Sequence, residues 1–412
     1  MSEQSVVVGA GIIGTCVAWA LQRQGGHVVL LDRDEPGRGA SYGNMASIAV
    51  TEFLPASRPE VWLNLPRWLL DPLGPVRIRP ASIPRLLPWL ARYFLAGRPA
   101  KVRQLTRDGA QLCSHALGDW QALLAEAGLR HLLSEEGCLS LYADEAELSA
   151  AGAHLALLKE YGFDYRLISN EELPALEPDL SPRIRHAAVF PDSRTVADPH
   201  ALVRGIIQDF ERRGGRFARG EVVGFAADGR LTGLRLQGGG TLAAGRVVVC
   251  AGAYSGRLAR LLGDRLPVET ERGYHTQLSA PAVSLKHSLI WPARAFMVSP
   301  TAGGIRVGGT VEMASLEAPP DLRRATRLLA HARQALPGLN GEGGVPWMGH
   351  RPAMPDTLPV IGASARMPGV FYATGHGHLG LTLAATTARA MAELLRGGTP
   401  PLDLAPYRAD RY

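Results

Sequence analysis

The sequence predicts a two-domain protein of mixed class, an α/β nucleotide-binding fold joined to an α+β domain built on an antiparallel sheet. Three observations lead there. Ser5 to Asp32 reads as strand, glycine-rich turn, helix and second strand. Strand–small-residue–helix elements recur around Val247–Gly252 and Val370–Leu395, so distant parts of the chain return to one parallel sheet. Between them lie blocks of period-2 strand pattern, such as GYHTQLSA, ARAFMVSP and GIRVGGTVE. At 412 residues the chain exceeds one compact core. Residues 1–55, 190–266 and 345–412 are expected in the nucleotide domain, and 56–189 and 267–344 in the second, with several crossings between them.

Each element has a local reason. Val6-Val7-Val8 is a short, uncharged, β-branched run, as suits a parallel strand buried on both faces. Gly9, Gly11 and Gly14 follow at G-x-G-x-x-G spacing. The first makes the tight turn, the second lets backbone approach a pyrophosphate, and the third lets helix and strand pack closely. The unpaired N–H groups at the helix start suit that anion. Gly25-Gly26 ends the helix, and the next strand ends at Asp32, an acid placed to accept hydrogen bonds from a ribose. The following loop, DEPGRGASYGNMASIAV, is small and polar; Ser41, Asn44 and Ser47 are candidate donors to a ligand, or alternatively bond their own backbone.

From Phe53 to Pro99 prolines, tryptophans and arginines predict short broken helices, either packed over the site or lying on a membrane surface. Lys101–Gly128 and Glu145–Tyr161 read as helices, with strand pattern around GCLSLY. Asp198-Pro199 opens another helix as cap and first residue. Three short strands with turns at Asp228-Gly229 and Gly238–Gly240 precede the buried strand Val247–Cys250. A helix is expected at Asp321–Leu336, and a last one at Leu381–Leu395 after the glycine-rich turn TGHGHLG.

Composition narrows the classes. Net charge is +6, but 41 of the 44 basic residues are arginines scattered along the chain, so nucleic-acid binding is not expected. The four cysteines lack C-x-x-C spacing, which argues against a disulfide framework or a zinc site and for a reducing cytoplasm. The first residues lack the basic region and cleavage site of a signal peptide, and no apolar run reaches about 18 residues.

Four stretches, VVVGAGIIG…D, VVVCAGAYSG, GHRPAMPDTLPVIG and ATGHGHLGLTLA, occur in this order. Together they resemble the glutathione-reductase-type FAD proteins and, more narrowly, the D-amino-acid dehydrogenase and glycine oxidase group. The resemblance implies FAD as cofactor, with expected contacts at Gly9, Gly11, Ile12, Ile13 and Gly14, then Asp32, Arg33, Ala40, Ser41, Asn44, Ala46 and Ser47. Further contacts are expected at Val222, Ala251 and Gly252, and at Arg351, Gly377, His378, Leu379, Gly380, Leu381 and Thr382.

Arg351 occupies the place of the family's carboxylate-binding arginine, and its planar fork suits that anion. Phe296 stands where glycine-oxidase-like members carry a tyrosine, so Tyr274 is the candidate hydroxyl for the substrate. His378 stands where relatives carry arginine or threonine and is a candidate substrate contact; His376 is expected to support the turn and His350 to orient Arg351. The implied activity is oxidation of the C–N bond of a small amino acid, expected to be of D configuration, or of a cyclic imino acid such as D-proline. Hydride passes from Cα to flavin N5, and electrons leave to O2 or a quinone-type carrier. A cytoplasmic location is expected, with peripheral contact at the inner membrane face as an alternative. Rival readings are an NAD-dependent dehydrogenase, which leaves VVVCAGAYSG and GHGHLG unexplained, a flavoprotein acting on modified RNA, and a silent flavin subunit of a larger complex.

Overall fold

A computed structural model describes residues 4–71 and 74–412. Residues 1–3, at the N-terminal stretch read above, and residues 72–73 of the tryptophan- and arginine-bearing segment lie outside them. The expected mixed architecture is present as two main sheets. One has six strands in the order Val360–Ala363, Val370–Thr374, Arg246–Val249, Ser5–Val8, Val28–Asp32, Arg216–Arg219. All neighbours are parallel except the first pair. Val6 and Val7 are fully buried, which explains the uncharged first strand. The helices Ile12–Arg23 and Gly380–Leu395 pack against each other beside this sheet.

The second sheet has nine strands. It is largely antiparallel, with parallel pairings at Ser288–Trp291 beside Cys138–Tyr142 and at Val76–Ile78 beside Gly304–Met313. Three neighbouring strands matter here: Val345–Ala353, Glu269–Leu278 and Gly304–Met313. Val345–Ala353 therefore pairs within the nine-stranded sheet, although the last 68 residues were expected with the nucleotide sheet. The helix Arg323–Ala335 covers one face of this sheet. The other face looks toward the six-stranded sheet across a cavity.

Local signals hold well. Asp144 and Asp198 cap their helices, Asp198 accepting from His200 N and Ala201 N. The helix Pro99–Ala127 ends at Gly128 with φ 74°. The three strands Val222–Asp228, Arg230–Leu236 and Thr241–Ala243 form the expected meander. Prolines lie inside both helices Pro59–Leu70 and Ile83–Ala96. Long-range packing was less legible. The helix Pro99–Ala127 docks on Gly380–Leu395, where the Trp120 indole donates to the carbonyls of Leu381 at 2.9 Å and Thr382 at 3.1 Å.

Candidate active site

A cavity of about 930 Å³ runs between the two sheets, at the upper end of the range for ligand sites. At one end it meets the turn Gly9–Ile13, where Gly9 has φ 109° and approaches the Cys250 carbonyl too closely for any Cβ. Further along it meets Gly377–Leu381, the start of the last helix. Neither N-cap residue, Gly11 or Leu379, caps its helix with a side chain of its own; one N–H, that of Ile12, is taken by Ser41 Oγ, and the other first-turn N–H groups of both helices lie beside the same cavity.

The loop after Asp32 lines the middle. The Asp32 carboxylate accepts from Ala10 N at 2.6 Å and from Asp34 N at 3.0 Å, so the acid also braces the turn. Ser41 Oγ accepts the Ile12 N–H at 2.8 Å. Asn44 borders the cavity, and its amide also holds the loop, donating to Ser41 O and accepting from Ala46 N. Ala46 lies behind the wall with φ 56°, and Gly14 and Thr382 also stand behind it. Gly14 packs against Gly9, and Thr382 Oγ1 accepts from Ala49 N, tying the loop to the last helix. Ser47 lines the cavity with a buried Oγ that has no partner. The other expected contacts, Ile12, Ile13, Arg33, Ala40, Val222, Ala251, Gly252, Leu379 and Gly380 among them, all border the cavity.

The sheet end is decided by strand parity. Residues paired across Glu269–Leu278 and Val345–Ala353 share a face: Glu271 with Arg351, Gly273 with Gly349, His275 with Trp347. All of that set but Glu271 border the cavity. Arg351 Nη1 donates to Glu271 at 2.9 Å, and its guanidinium lies across Gly273, where a Cβ would come within 2.4 Å of Cζ. The side chains of the intervening residues point to the opposite face, although Tyr274, Met348, His350 and Pro352 still border the cavity. Tyr274 borders the cavity, yet its hydroxyl corrects the expectation of a substrate contact: it donates to Glu312 at 2.5 Å and accepts from Asp321 N at 3.2 Å, under Arg324 of the covering helix. His350 is on that face too, its Nδ1 2.7 Å from Thr270 Oγ1, so Glu271 and not His350 orients Arg351. Burial, then the nearby Arg272, pushes the His350 pKa down to about 4.

The residue that replaces Tyr274 on the cavity face is His275, which sequence reasoning missed. Its Nδ1 is 2.9 Å from the Gly43 carbonyl and must donate, leaving Nε2 as an acceptor. Burial, then Arg306, pushes its pKa down to about 3, so the ring is neutral. It stacks on Trp347 with centroids 5.0 Å apart. The available signal was the i, i+2 alternation from Glu271, read against the partner strand. His376 is buried, with Nε2 2.9 Å from Thr387 Oγ1 of the last helix. His378 borders the cavity with an exposed side chain.

Two glycine-rich helix starts on one cavity, a braced acid after the second strand and a buried unpartnered serine hydroxyl fit a long dinucleotide such as FAD. The fold and site thus define a flavin-dependent oxidoreductase. Residues 4–394 match the family described as FAD dependent oxidoreductase, and the chain belongs to that family. It is 34% identical over 415 residues to a D-amino-acid oxidase of Bradyrhizobium diazoefficiens, covering 98% of each chain. A D-amino acid dehydrogenase of Dechloromonas aromatica is 31% identical over 409 residues, covering 96% of this chain and 97% of the relative. The crystal structure of glycine oxidase from Geobacillus kaustophilus superposes with a TM-score of 0.77 at 21% identity, covering 100% of both chains, which supports the fold.

Proposed function

We propose that this flavoenzyme oxidises the C–N bond of an amino acid, with Arg351 as the anchor of the substrate carboxylate. The observation that carries the reading is a guanidinium on the cavity face of the sheet, held at Nη1 by Glu271 and across Gly273. Its remaining N–H groups suit a carboxylate. FAD, when bound, supplies the acceptor for the hydride from Cα. The N–H groups at Gly377–Gly380 would stabilise negative charge on the cofactor's pyrimidine edge. The neutral His275 adds no positive charge to oppose the substrate amine. The imine product hydrolyses to an oxo acid or, from a cyclic substrate, is retained as a cyclic imine. The nucleotide domain would comprise the segments around the six-stranded sheet, and the substrate domain those around the nine-stranded one.

Anaerobic bleaching of the bound flavin by D-, L- and N-alkyl amino acids tests this. Arg351→Lys should raise the half-saturating concentration at least tenfold with flavin content retained; unchanged saturation removes Arg351 from the site. The electron acceptor is a separate matter. Leu63 and Leu70 are 83% and 84% exposed, and Leu87, Phe94 and Leu95 are exposed beside Arg92 and Arg98. This supports a membrane-surface acceptor. No helix among the described residues is long and apolar enough to cross a membrane. Sedimentation with anionic vesicles, lost in a Leu63→Ser/Leu70→Ser variant, is the expected outcome; full solubility with O2 consumption at the turnover rate refutes it.

A further inference from the structure

The cavity face beside Arg351 carries more information than an anchor. The cross-strand row next to the anchor is Gly273–Gly349, two residues without side chains of their own. The Arg351 guanidinium lies over the first, and the Trp347 indole leans over the second, its Cη2 2.1 Å from where a Cβ would stand. Directly paired residues have Cβ positions about 5 Å apart. The indole rim therefore lies within about 10 Å of the guanidinium carbon, a separation that a leucine- or phenylalanine-sized side chain bridges.

The next row is apolar or neutral throughout. Trp347 stacks on His275, and the Met45 thioether sits over Gly308, which pairs with both His275 and Met297. Met297 in turn pairs with Ile290, and Trp347, Met45, Met297 and Ile290 all border the cavity. The two arginines of this stretch are already engaged. Arg351 has Glu271, and Arg306 donates to the Asn44 carbonyl and to Gln277 Oε1. An anionic side chain would face the Glu271 carboxylate beside its own anchor, and the neighbouring cation, Arg306, is held by two carbonyl oxygens.

We infer that the preferred substrates carry a bulky, uncharged, apolar or aromatic side chain that lies against Trp347. This rests on the reading of Arg351 as the carboxylate anchor, and it moves the expected class from small amino acids to large ones. Complete burial of a phenyl or isobutyl group is worth about 1.5–3 kcal/mol, or 10- to 150-fold in specificity.

The test is a steady-state panel of alanine, proline, leucine, phenylalanine, lysine and glutamate, in both enantiomers, on the holoenzyme. Leucine or phenylalanine should exceed alanine at least tenfold in kcat/KM, and glutamate should be the poorest. Alanine, proline, lysine or glutamate at the top of the ranking overturns the inference while leaving amino-acid oxidation standing. No flavin reduction by any member sinks both. Independently of turnover, calorimetry should show phenylacetate binding at least fivefold tighter than acetate, and equal affinities refute the subsite. In Trp347→Leu, and in the milder Trp347→Phe, the phenylalanine-to-alanine ratio should fall, by fivefold or more in the first. An unchanged ratio in a folded variant assigns the wall to other residues.

Discussion

Gly273→Ala isolates the geometry of Arg351, the proposed carboxylate anchor. Gly273 does not have positive φ, so alanine brings no backbone strain there. The added methyl would sit 2.4 Å from both Cζ and Nη2 of Arg351 and 2.7 Å from Nε. Ordinary contact begins near 3.4 Å, so the guanidinium must shift by about 1 Å. The bond from Nη1 to Glu271, now 2.9 Å, then stretches or breaks, and the fork turns away from the cavity. Losing one charge-assisted hydrogen bond to the substrate is worth about 1.5–3 kcal/mol, and a displacement of this size can reduce turnover about 100-fold. We therefore expect kcat/KM to fall about 10- to 100-fold, mainly through KM, with the flavin spectrum and stoichiometry unchanged. The assay is steady-state kinetics on the best amino acid of the panel, with melting temperature and flavin content as controls. Unaltered KM in a folded, flavin-loaded variant would mean that the carboxylate does not meet Arg351.

Other outcomes follow from single contacts. Ser47→Ala removes a buried hydroxyl that has no protein partner, so apoprotein stability should hold or rise slightly. FAD affinity, measured by titrating apoprotein, should weaken about fivefold if that hydroxyl meets the cofactor, and unchanged affinity excludes the contact. The His376 pKa is pushed by burial down to about 3, far below the unfolded value near 6.5. Between those pH values the unfolded chain holds a proton that the folded chain does not. Stability must therefore fall as pH drops through that window, by up to ~1.4 kcal/mol per pH unit for this residue. His376→Gln should flatten the acid limb of urea melts by about one proton, and an unaltered slope shows the ring is protonated in the fold. Asp198→Ala removes a cap that bonds His200 N and Ala201 N, and should lower stability by about 1 kcal/mol in denaturant titration.

What the sequence determined by itself is local. Three valines, three glycines at fixed spacing and a terminal acid dictate a buried strand, a turn that admits only glycine at Gly9, and a helix start open to an anion. The second helix start after Gly377 was legible for the same reason, as was the cap at Asp198. Arg351 was legible from its motif. Tertiary structure alone decided which neighbours it keeps. Pairing of Glu269–Leu278 with Val345–Ala353 places Glu271, Gly273 and His275 on the cavity face and turns Tyr274 and His350 away. A side chain's face in a strand depends on register with a partner some 80 residues distant, and a shift of one residue inverts the assignment. Likewise, no local pattern in Pro99–Ala127 indicates that Trp120 will meet the carbonyls of Leu381 and Thr382. Backbone conformation follows from neighbours in the chain, whereas the chemistry of the wall follows from neighbours in space.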